Sequence, residues 1–77
     1  MNVIKIKGIT NPARFEDYIA SDLVDIILNR EIVGNIIILT PENDINLNNM
    51  EDRKWITEII SEGLLECQEL SAKIVFE

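Results

Sequence analysis

The segment Asn35-Ile36-Ile37-Ile38-Leu39-Thr40, closed at once by Pro41, constrains this chain more than any other. Its large apolar residues, Ile36 to Leu39, are too few for a typical helix and carry no polar alternation. Such a run predicts a strand covered on both faces, the centre of a sheet with helices packed over it. Gly34 and Asn35 punctuate its start. Pro41 has no N–H to give to a ladder, so it marks the end.

The remaining elements are placed around that strand. Met1 to Lys7 sets Ile4 and Ile6 against Val3, Lys5 and Lys7, the alternation of a half-buried strand near a sheet edge, and Gly8 stops it. Asn11 as N-cap and Pro12 at the first helical position open an amphipathic helix predicted from Pro12 to about Asn29. Phe15, Ile19, Leu23, Ile26 and Ile27 recur along one face, with Tyr18 at its border. Ile32 and Val33 leave two readings. They extend the helix to a Gly34 cap, or they pair with the central strand through a Gly34-Asn35 turn. The favoured reading ends the helix between Asn29 and Glu31 and follows it with a short connector.

Pro41 to Asp44 reads as a turn, and Ile45 and Leu47 as inward-facing residues of a short extended piece. Asn48 or Asn49 caps a second helix, with Glu51 and Asp52 complementing its dipole. Trp55, Ile56, Ile59 and Ile60 are its predicted buried seam and Gly63 its natural stop. For Trp55, core packing is the default and an interface anchor the alternative. Leu64 to Leu70 fits either further helix or extended chain, and Ala72 to Phe76 closes as a strand. Strands separated by helices predict crossover units. The expected architecture is a small α/β domain, βαβαβ in two or three layers, with a mainly parallel sheet and one domain over residues 1–77.

Charge narrows the partners. Fourteen acidic residues against seven basic ones leave a net charge of −7. That disfavours direct contact with nucleic-acid phosphates, which requires basic side chains. It permits a basic protein partner or mimicry of nucleic acid, and the simpler reading is solubility alone. The single cysteine, Cys67, excludes an internal disulfide. With no apolar run of spanning length, a cytoplasmic protein away from membranes is expected.

Little chemistry is in view. The chain has no histidine and no glycine-rich phosphate loop. Acidic neighbours of Cys67 (Glu66 and Glu69) oppose thiolate formation. Asp44-Ile45-Asn46-Leu47-Asn48 matches the opening of a calcium loop. Asn49 then stands where glycine is required and Trp55 where the bidentate glutamate belongs, so a turn leading into a helix cap is preferred. Glu58, Glu62 and Glu66 share a helical stripe and read as a solvated face. No cofactor or metal is expected, and an enzyme is the least favoured class.

The order of features resembles a STAS-type domain, the class of bacterial anti-sigma-factor antagonists. The resemblance rests on the glycine-ended strand Val3-Ile4-Lys5-Ile6-Lys7-Gly8, the helix from Pro12 and the buried strand Ile36 to Leu39. Pro41 to Asn49 then leads into a helix, and Ala72 to Phe76 follows as a strand. The family's central-strand aspartate would fall near Thr40, and its Asp-Ser phosphorylation signature on Asn48-Asn49; both are absent, as is its last helix. The resemblance therefore implies a non-enzymatic regulatory module without the phosphorylatable serine. It would bind another protein through Pro41 to Glu51, with Asp44, Asn48, Asn49 and Met50 as contacts. The alternative is a small acidic inhibitor or nucleic-acid mimic that occupies a basic protein surface. A thin core adds the expectation of a homodimer through the final strand or an apolar helix face.

Overall fold

The computed structural model describes residues 2–77. Its elements are β1 (Ile4–Lys7), α1 (Pro12–Asp22), β2 (Ile27–Val33), β3 (Ile36–Pro41), α2 (Met50–Glu66) and β4 (Lys73–Phe76). The strands form one sheet in the order β2-β3-β1-β4, and every neighbouring pair is antiparallel. This overturns the mainly parallel βαβαβ sheet expected above. Strands joined by a helix do run in the same direction, but none of them are neighbours. β3 lies between β1 and β2, and β1 lies between β3 and β4. The result is a split βαββαβ arrangement, the ferredoxin-like topology.

The difference arises at β2. Its sequence, Ile-Leu-Asn-Arg-Glu-Ile-Val, has a polar centre that hides a strand from any search for apolar alternation. Val33 pairs with Ile36, leaving Gly34-Asn35 as a two-residue hairpin loop. Gly34 has φ +63° and Asn35 is not in the positive region, the pattern of a type II′ turn whose twist suits a hairpin. The hairpin reading of Ile32 and Val33 is therefore the one realised. Helix α1 stops at Asp22 with Leu23 as its cap, well short of Asn29. Ile27, assigned above to the helix face, enters β2 opposite Pro41.

A second correction follows from burial. Ile37 and Leu39 are fully buried, whereas Ile36, Ile38 and Thr40 on the other side of β3 are half-buried. The register gathers Ile4, Ile6, Ile37 and Leu39 on one face, where they meet Phe15 and Ile19 of α1 and Ile56, Ile60 and Leu64 of α2. The opposite face holds Lys5, Lys7, Lys73, Val75 and Glu31, none of them buried. The domain has two layers, and the isoleucine run is covered on one side only.

Asn49 caps α2, its side chain accepting the N–H groups of Glu51 and Asp52 at 2.9 and 3.0 Å. The helix does not stop at Gly63. That residue is buried against Tyr18 of α1, and a Cβ there would press into the tyrosine ring. Termination comes at Cys67, where Gln68 takes φ +59°. The Gln68 N–H bonds Leu65 and the Glu69 N–H bonds Leu64, the two bonds of a Schellman cap. Trp55 is not part of the buried seam, being 45% exposed.

Candidate interaction surface

The outward face of α2 carries the most distinctive grouping of side chains. Positions 51, 55, 58, 62 and 66 recur at three and four, which aligns Glu51, Trp55, Glu58, Glu62 and Glu66 on one side of the helix. All of them are exposed. They lie away from Ile56, Ile60 and Leu64, which face the core. Across the helix pair, Tyr18 donates a hydrogen bond to the Ile59 carbonyl at 3.4 Å. Burial pushes the Tyr18 hydroxyl pKa up, and the carboxylates of Asp22, Glu66 and Glu62 push it further. Acids from both helices therefore act on the same tyrosine. Among the described residues, the ion pairs are Lys5–Glu77, Lys7–Glu77 and Arg30–Glu16, and none uses these acids.

Three of the cations lie on the other layer. Lys5, Lys7 and Lys73 stand on the open sheet face, and Arg53 and Lys54 border β4. Between α2 and β4 runs a groove of about 670 Å³ lined by Met50, Thr57 and Phe76 and by Glu51 and Glu58 of the stripe beside Arg53 and Lys54, with the Arg53 guanidinium 4.5 Å from the centre of the Phe76 ring. A second recess of about 360 Å³ lies between the same two elements, beside Ser61, Leu65 and Ile74.

The residues expected to contact a partner do not form one group. Asp44 and Asn48 are exposed on the loop before α2, and Met50, 85% exposed, lies at the groove. Asn49 already serves the helix as its cap. In the calcium-like stretch, the Asn46 side chain accepts the Asn48 N–H, and the Asn46 N–H goes to Asp52. Local backbone bonds thus take up polar groups that a cation would need. Among the described residues, no group of three or more metal-ligating side chains is present. The Cys67 thiol is buried, and burial raises its pKa against the lowering pull of Arg14. Among the described residues, no helix is long and apolar enough to cross a membrane.

The exposure of Trp55 is not legible from its place in the chain, because the apolar residues at Ile56 and Ile59 point the sequence reading to the core. Family models, curated proteins and solved structures offer no match to this chain.

Proposed function

We propose that the chain is a non-enzymatic, regulatory protein-interaction module that engages a basic partner through the outward face of α2. The observation that carries this reading is Trp55, 45% exposed within a stripe of exposed glutamates that form no ion pair among the described residues. Tryptophan on a surface costs solubility and is enriched at binding hot spots. Carboxylates around it speed encounter with a basic surface and select for one. Asp44 and Asn48, on the loop leading into the same helix, extend the contact in this reading. A nucleic-acid mimic is the narrower version, and it draws on the exposed carboxylates of Asp22, Glu62 and Glu66 on two helices.

The test is capture of partners from the native host on immobilised protein at low and moderate salt. A stoichiometric basic protein, lost with Trp55→Ala and weakened by Glu62→Lys with Glu66→Lys, supports the reading. Absence of any stoichiometric partner, or a partner indifferent to both changes, overturns it.

A further inference from the structure

We propose that a second copy of this chain pairs with β4, edge to edge and antiparallel, to make one continuous eight-stranded sheet. The argument is independent of the partner assigned to α2. β4 ends the sheet, so one side of its backbone has no strand beside it. Val3 and Glu77 exchange both backbone hydrogen bonds at 2.9 Å. Alternation along an antiparallel ladder then turns Val75 and Lys73 toward β1 as well, and leaves Ile74 and Phe76 with N–H and C=O groups aimed outward. No proline or bulge blunts this edge.

Symmetry restricts how two copies can meet. A two-fold axis between antiparallel strands runs perpendicular to the sheet, so one residue of the strand must face its own copy. Centred on Val75, the pairing sets Ile74 opposite the copy's Phe76 and Lys73 opposite the copy's Glu77, each twice. Ile74 and Phe76 are the residues with free outward groups, so this register supplies four backbone hydrogen bonds. It also joins Lys73, which has no ion-pair partner among the described residues, to an acid. The other edge behaves differently. Pairing the full length of β2, from Ile27 to Val33, with its copy would centre on Arg30 and set two guanidinium groups face to face.

The same axis lays α2 antiparallel to its copy above the seam, on the covered side of the sheet. The exposed Met50 end of one α2 then faces the exposed Leu65 end of the other, and the apolar groove beside Phe76 lies beneath both. An edge pairing of short strands thereby gains an apolar second layer.

Sedimentation equilibrium over a range of concentrations tests the proposal. The unaltered chain is expected to be a dimer. Lys73→Glu sets like charges opposite Glu77 twice and raises the dissociation constant roughly tenfold or more, and adding Glu77→Lys restores it to within about threefold. Val75→Lys, which places two ammonium groups on the axis, yields folded monomer by circular dichroism. Amide exchange at Ile74 and Phe76 slows as the dimer forms. A monomer at every concentration overturns the proposal. So does a dimer whose dissociation constant neither Lys73→Glu nor Val75→Lys alters.

Discussion

The Glu69 carboxylate accepts the backbone N–H groups of Thr10 and Asn11, each at 2.8 Å, and the Thr10 hydroxyl at 2.9 Å. Glu69 follows the cap of α2 and is only 4% exposed, while Thr10 and Asn11 begin α1. One buried side chain thus ties the end of one helix to the start of the other. Backbone donation from Thr10 is the leading cause of its lowered pKa, against the opposing effect of burial. Its contribution to stability is therefore complete above the ordinary glutamate value of 4.5 and is lost as the pH falls through the lower folded value. Glu69→Gln, which keeps the shape and removes the charge, is expected to cost about 1–3 kcal/mol at neutral pH. Denaturant titrations across the acid range should show that difference shrinking below pH 4.5.

The contact between Tyr18 and Gly63 yields a second expectation. Alanine is the better helix former by about 1 kcal/mol, yet a methyl group at position 63 meets the tyrosine ring at closer than van der Waals distance. Gly63→Ala should therefore destabilise by roughly 1–3 kcal/mol. In the Tyr18→Ala background the same change should be neutral or stabilising. A double-mutant cycle by chemical denaturation measures the coupling, and additive effects would contradict the packing described.

Gln68 is the only described residue other than glycine with a positive φ. It holds the position at which helices usually place glycine. Relief of the left-handed strain, offset by the entropy of a freer unfolded chain, predicts that Gln68→Gly raises stability by about 0.5–1 kcal/mol. The converse change, Gly34→Ala in the hairpin turn, meets no atom within 4 Å and should still cost about 1–2 kcal/mol through backbone strain alone. Thermal melts of both variants check the pair.

Trp55 and Phe15 should separate cleanly as well. Phe15 is fully buried and stacks on Tyr18 with ring centroids 5.7 Å apart, so Phe15→Ala should cost about 3–5 kcal/mol. Trp55→Ala should cost less, about 1–2 kcal/mol, because nearly half of the residue (45%) is exposed. A large loss at Trp55 would return it to the core and remove the anchor from the proposed contact.

Local signals in the chain decided much of this protein. Asn11 before Pro12 opens the first helix, Asn49 caps the second, and the isoleucines at 4, 6 and 37 with Leu39 supply the buried sheet face. These outcomes depend on neighbours in sequence, or on a period that one face imposes. Three things were settled only by tertiary structure. Ile26 and Ile27 suit a helix face as well as a strand, and pairing with β3 chose the strand for Ile27. Gly63 reads as a stop until Tyr18 arrives to occupy the space that a side chain would fill. The isoleucine run says that its residues are apolar, but not how many layers will cover them. That depends on both helices settling on one side, a long-range choice tied to the strand order rather than to any local stretch of residues.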